Sequence, residues 1–225
     1  MKYRILTITL LSLLISGVYA QTEKKTPAVK PEVPKTKVYR VEAGYTQPLR
    51  YGDYVSNTLL HGISLGGTVE YPIKKNIGLV TGLKYSYLFG SKTQLYPNYA
   101  EANYSYTGHA LDIPVRLSYT VPIFWGLKLF GFAGPNFNFG LAQNTDVVYR
   151  DDDDTATAPY VTGGKFNLYK TELNRFSIQL GAGGGIQWKD YRLKAGYDWG
   201  LNSISKDKDS PQKLKGWYTT FEYDL

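Results

Sequence analysis

The sequence predicts an all-β protein, an eight-stranded antiparallel up-and-down transmembrane β-barrel, on three observations. Eight segments between Val38 and Leu225 alternate apolar and polar residues with a period of two. The connections between them alternate short and long along the chain. Tyrosine and tryptophan gather at segment ends, in a chain that is 15 % aromatic and holds 21 tyrosines. Successive side chains on a strand point to opposite faces, so each segment has one apolar and one polar face. A soluble sandwich could show the same alternation. It gives no reason for every long connection to sit at one end, or for aromatics to collect at strand ends, whereas a barrel with tight turns, long loops and aromatic girdles requires both.

The chain opens with Lys2 and Arg4, an apolar stretch over 5–15, and a small residue at Ala20. This reads as a secretory signal peptide over residues 1–20, its apolar run being shorter than the roughly 20 residues of a spanning helix. Residues 21–37, QTEKKTPAVKPEVPKTK, set three prolines among five lysines and read as an extended disordered tail, a spacer before the folded part. Residues 38–225 form the barrel. With no cysteine in the chain, a lipoprotein anchor and a disulfide framework are both excluded.

The predicted strands are 38–45, 62–71, 77–89, a fourth from near Tyr104 to Tyr119, 127–141, 176–188, 191–201 and 215–225. The fourth contains ALDIPVRLSY, in which Leu111, Ile113, Val115, Leu117 and Tyr119 share one face and Asp112, Arg116 and Ser118 the other. The fifth is the least regular. Phe130 and Phe132 fall opposite Leu129 and Ala133, which a bulge or an aromatic-filled lumen would each explain. Short connections are 72–76, 120–126 and 189–190, and the long ones are 47–61, 90–103, 142–175 and 202–214. No apolar run of spanning length follows the signal, and in a bilayer a closed barrel pairs every backbone amide without one.

The formal charge of +7 is concentrated in the signal and the tail. Setting these aside leaves about +2 for the barrel, so the high pI carries no implication of nucleic-acid binding.

LDIPVRLSY, the following LKLFGFAGPNFNFG and the glycine-rich GAGGGIQW together resemble the Bacteroidetes-type outer-membrane β-barrel domain family, which includes the PorT-like small barrels. The resemblance covers residues 38–225. It implies an outer-membrane location and, through the PorT-like branch, a link to type IX protein secretion.

Candidate residues follow from the polar parity. Arg40, Glu42, Glu70, Lys84, Asp112, Arg116, Lys128, Arg192, Lys194, Asp198, Glu222 and Asp224 all share it. An eight-strand barrel is just wide enough for side chains to fill. These charges are therefore expected to pair and plug the lumen, because an isolated buried charge is costly. The last strand, GWYTTFEYDL, puts Trp217, Phe221, Tyr223 and Leu225 on one face and reads as the signal presented to the barrel insertion machinery. The run Asp151 to Asp154 lacks the spacing of a calcium loop and reads as a solvated acidic tip. His61 and His109 have the outward parity, with Ser64 and Ser105 nearby. They read as interfacial polar residues, with a lipid-modifying enzyme using His109 as the rival. No nucleotide loop, zinc spacing or dinucleotide fingerprint is present. The expectation is a non-enzymatic structural or interaction protein without catalytic residues, metal or cofactor, a small pore being a further alternative. The expected partners are outer-membrane lipid, the insertion machinery and an extracellular or envelope partner, with no nucleic acid.

Overall fold

A computed structural model describes residues 36–52, 55–95, 101–150 and 164–225. The signal peptide, the tail up to residue 35 and the acidic run 151–154 lie outside the described residues.

Eight strands close into a ring: β1 (Val38–Gly52), β3 (His61–Lys74), β4 (Ile77–Leu95), β5 (Glu101–Phe124), β6 (Leu127–Arg150), β8 (Phe176–Trp188), β9 (Tyr191–Gly200) and β10 (Gln212–Asp224). Each pairs antiparallel with the next, and β10 returns to β1 in unbroken register from Arg40↔Asp224 to Gly52↔Gln212. The ring therefore has no free edge, which is what backbone amides in hydrocarbon demand. β2 (Val55–Leu59) extends the rim against β1, and β7 (Gly164–Asn167) lies against β6. A four-residue helix, α1 (Leu168–Thr171), follows β7, with the Asn167 side chain accepting from the Tyr169 amide as its N-cap.

At one end the strands join through two-residue turns at 75–76, 125–126 and 189–190. Trp125 (φ 47°) and Gly126 (φ 80°) both adopt left-handed backbone, the conformation that matches a two-residue hairpin to strand twist. The first described strand starts and the last strand ends at this turn end, where the Leu225 amide bonds the Tyr39 carbonyl.

At the other end the strands run well past the predicted limits. β5 and β6 have 24 residues each and β4 has 19, so 90–95, 101–103 and 142–150 are strand where the long connections 90–103 and 142–175 are expected from the sequence. A membrane strand needs about 9–11 residues, and 24 residues at about 3.4 Å each reach roughly 80 Å. Outside the lipid both faces of a ribbon are free to be polar, so the alternation that marks a strand fades while the backbone pairing continues.

Face assignment follows parity around the ring. Val41, Leu65, Leu83, Ile113, Leu129, Ile186, Leu193 and Phe221 point outward and are exposed, while Arg40, Glu42, Asp112, Arg116, Arg192 and Glu222 point inward and are buried. An apolar exterior of this kind would stand against water only at great cost at about 25 cal/mol per Å², so the band lies in hydrocarbon. β6 resolves the choice between bulge and aromatic fill. Phe130 and Phe132 are buried in the lumen beside Tyr218. Opposite them β8 turns Gly183 and Gly185 inward, where an added Cβ would meet the Phe132 and Phe130 rings at 2.5 and 2.7 Å. The glycine-rich strand is thus the space into which the phenylalanines fit. A bulge does occur higher up, at Leu141, since His109 pairs with Ala142 and Ala110 with Gly140.

Candidate functional site: a plugged lumen beneath a roofed outer chamber

The lumen is filled in layers. Nearest the turn end, Arg40 meets Asp224 at 2.6 Å and Glu70 at 2.7 Å. Glu70 also accepts from Ser118 at 2.5 Å and from Arg192 at 3.2 Å. Above this, Arg192 reaches Glu222 at 3.6 Å and sits 3.8 Å over the Phe130 ring. Lys194 bridges Glu42 at 2.7 Å and Glu222. Next, Arg116 pairs with Asp198 at 2.5 Å and donates to the Gly134 carbonyl. Five strands contribute to these ion pairs, β1, β3, β5, β9 and β10, so the network ties the wall across the lumen as well as around it.

Two of the predicted charges have neutral partners. Lys84 and Asp112 face each other in register, yet Lys84 Nζ lies 4.9 Å over the Tyr218 ring. Asp112 Oδ1 accepts from Asn136 at 2.8 Å and Asn138 at 2.9 Å. The amides come from the neighbouring strand and could be found only once register was known. Lys128 lies half-buried at the turn end of the lumen, lining the same cavity as Arg40 and Asp224.

The free space is partitioned. A cavity of about 200 Å³ opens at the turn end, one of about 30 Å³ lies beside Phe130 and Phe132, and one of about 70 Å³ occupies the far half. Ion pairs and aromatic rings stand between them. We expect purified protein in planar bilayers to give no stable single-channel conductance, whereas reproducible discrete openings would contradict a closed lumen.

The far cavity is a chamber with a roof. Its walls include an apolar collar of Leu60, Leu88 and Ala110 against Tyr106. Leu168, Leu173 and Ile204 form a second cluster above it with Tyr169 and Leu214. The roof segments are stitched together, because Asn174 N–H bonds Ile204 O, Lys206 N–H bonds Glu172 O, and Leu173 bridges Ser205. Lys206 Nζ donates to the carbonyls of Tyr169 and Lys170. Burial raises the Tyr169 phenol above its usual value, so it stays protonated. The apolar clusters and the roof were missed from sequence. Leu88 sits at inward parity where a polar residue was expected, Leu60 lay in the predicted connection 47–61, and a four-residue helix leaves no periodic signal.

On the outer face an aromatic girdle carries both histidines. Tyr45 bonds His61 Nδ1 and packs against Trp217, whose Nε1 donates to Gln47 at 2.6 Å. His109 Nδ1 bonds Tyr85 at 2.5 Å, and its ring packs on Tyr87. Ser64 is buried on the opposite, luminal face. Ser105 shares the outward face of His109 but lies four residues along the strand, roughly 13 Å away. Neither serine forms a nucleophile–base pair with a histidine. Among the described residues no cluster of three or more histidines and acids could hold a metal ion. Of the C-terminal residues, Trp217, Phe221 and Tyr223 point outward, each between 39 and 51 % exposed, and Leu225 is exposed at the chain end.

A family model described as "outer membrane protein beta-barrel domain" matches residues 51–206. No curated protein matches. Among solved structures, Ail, the attachment invasion locus protein of Yersinia pestis, is similar at 14 % identity and a TM-score of 0.39, over 84 % of this chain and 98 % of its own. Neisserial surface protein A is similar at 11 % identity and a TM-score of 0.43, over 83 % and 97 %. A major outer membrane protein from Thermus thermophilus is similar at 14 % identity and a TM-score of 0.39, over 84 % and 100 %.

Proposed function

The chain belongs to the outer membrane protein β-barrel domain family, and from that premise we propose that it is a non-enzymatic structural and interaction protein acting through the ribbons it raises outside the cell. It resides in the outer membrane. The observation that carries the proposal is the length of β4, β5 and β6 beyond the lipid-facing band. On β5 the outward apolar side chains occupy 111–123 with His109 at the girdle, and 101–108 continue past it, still paired to β4 and β6. Barrels of this class keep short turns in the periplasm and long segments outside, which puts the ribbons on the cell exterior. Exposed segments on a rigid scaffold are where binding surfaces are commonly built. With its lumen filled by ion pairs, the barrel serves as an anchor and platform for them.

Protease added to whole cells tests the orientation. Trypsin is expected to cut within 142–175, where the Lys165 side chain is 83 % exposed, and to leave the barrel intact. Cleavage confined to 22–37 would place the ribbons on the wrong side. His109→Ala is expected to leave outer-membrane lipid composition unchanged, and a lost lipid modification would favour an enzyme. A pull-down of the intact protein from its own membranes separates a surface or envelope partner from a part in type IX secretion, which the PorT-like resemblance implies. Recovery of secretion-system subunits would support the latter.

A further inference from the structure

The roofed outer chamber holds more hydrogen-bond donors than the protein satisfies. Among the described residues, Arg50 Nε and Nη2, Ser86 Oγ, Gln143 Nε2 and Ser177 Oγ are buried without a partner, and all four residues line this one cavity. Arg50 is only 7 % exposed. Its guanidinium lies 5.5 Å from the Tyr106 ring centroid, a π face that supplies no acceptor in the guanidinium plane. No carboxylate among the described residues lies within ion-pair distance of it. The exposed Glu172 carboxylate acts on it only from beyond that distance, and a buried cation without a directly paired counter-charge is costly.

The geometry of the vacant edge is informative. Nε and Nη2 form the side-on fork of a guanidinium, the pair that meets two oxygens of a carboxylate or phosphate in parallel. Lys84, Arg175 and Lys215 line the same cavity. Its two acids are already engaged, Asp198 by Arg116 and Asp112 by two asparagine amides. Water could satisfy the hydroxyls, but it supplies no paired anion for Arg50. The chamber volume of about 70 Å³ compares with roughly 10–15 Å³ for each water counted the same way, which suits a single compact polar group.

We propose that the outer chamber is a binding site for a small oxyanion of the phosphate or carboxylate class, held by the Nε/Nη2 edge of Arg50 with Ser86, Gln143 and Ser177. The anion could be a free ion or the head of a short alkyl ester whose chain meets the apolar collar of Leu60 and Leu88.

The test uses the full folded chain in detergent micelles at fixed ionic strength, with chloride as the background anion. Inorganic phosphate and butyl phosphate are titrated while binding is followed by calorimetry and by the Arg50 Nε–H resonance. Saturable one-to-one binding with a shift of that resonance is expected. Arg50→Met should weaken binding about tenfold or more, the scale of losing a charge-assisted fork. The exposed-site control Lys165→Met should leave it unchanged. Tighter binding of butyl phosphate would assign the esterified form, and tighter binding of phosphate the free ion. No saturable binding of either probe, or a resonance that does not move in the wild-type protein, overturns the proposal even if Arg50→Met fails to fold. Equal binding by a folded Arg50→Met variant overturns it as well.

Discussion

Phe221→Lys is expected to abolish accumulation of the folded protein in the outer membrane. Phe221 is 51 % exposed on the outer face, between Ala43 of β1 and Leu193 of β9. It lies on the strand that closes the ring. A lysine on the lipid face costs roughly 2–4 kcal/mol near the midplane, a large share of a typical domain's stability of about 5–15 kcal/mol. The substitution also damages the alternating aromatic face of the last strand, which we propose the insertion machinery reads. Deletion of residues 223–225 is expected to act in the same direction, by removing the Leu225 and Asp224 amide bonds to Tyr39 and Asp190. Phe221→Leu keeps the apolar face and is expected to fold. The readout is the heat-modifiable band shift of folded barrels in membrane fractions. Equal folding of Phe221→Lys and Phe221→Leu would mean that β10 does not meet lipid.

Asp198→Leu is expected to give the largest loss among lumen substitutions. Asp198 is the ion-pair partner of Arg116 among the described residues, both are under 10 % exposed, and Lys84 is close by. Removing the acid leaves a buried guanidinium with only the Gly134 carbonyl, and breaking a buried pair from one side costs about 3–5 kcal/mol. The double variant Arg116→Met with Asp198→Leu removes both charges and is expected to recover much of that loss, since apolar replacement of a whole buried pair is often near neutral. Urea unfolding midpoints in lipid vesicles decide the matter. Equal destabilisation by the single and double variants would show that packing space at this position, rather than charge, sets the cost.

The membrane part of the fold was legible because each of its residues answers to one of two solvents. Lipid outside and a crowded polar lumen inside impose a period of two, so Leu193 against Arg192, or Phe221 against Glu222, can be read without a structure. The tight turn at 189–190 was legible at its place, whereas the predicted connections 72–76 and 120–126 contract to turns at 75–76 and 125–126. The outer third was less legible for a physical reason. Beyond the girdle neither face of β4, β5 or β6 must be apolar, and the strands run on through sequence that looks like loop. Partners set by register were also invisible, as with Asn136 and Asn138 on Asp112. The roof cluster of Leu168, Leu173 and Ile204 joins residues from two separate connections, and no local pattern announces such a meeting. Arg50 lay inside a predicted loop, and only its burial without a paired carboxylate among the described residues brings it to notice.

The central claim is that alternate residues face lipid and a filled lumen in a closed ring. The absence of cysteine in the sequence lets single cysteines be introduced and spin-labelled one at a time along β9 and β10 in lipid vesicles. The account predicts that labels at 193, 195, 219, 221 and 223 collide freely with oxygen dissolved in the bilayer. Labels at 192, 194, 220 and 222 should be shielded from both oxygen and a water-soluble nickel chelate. Uniform exposure to the chelate, or no alternation between neighbouring positions, would contradict it.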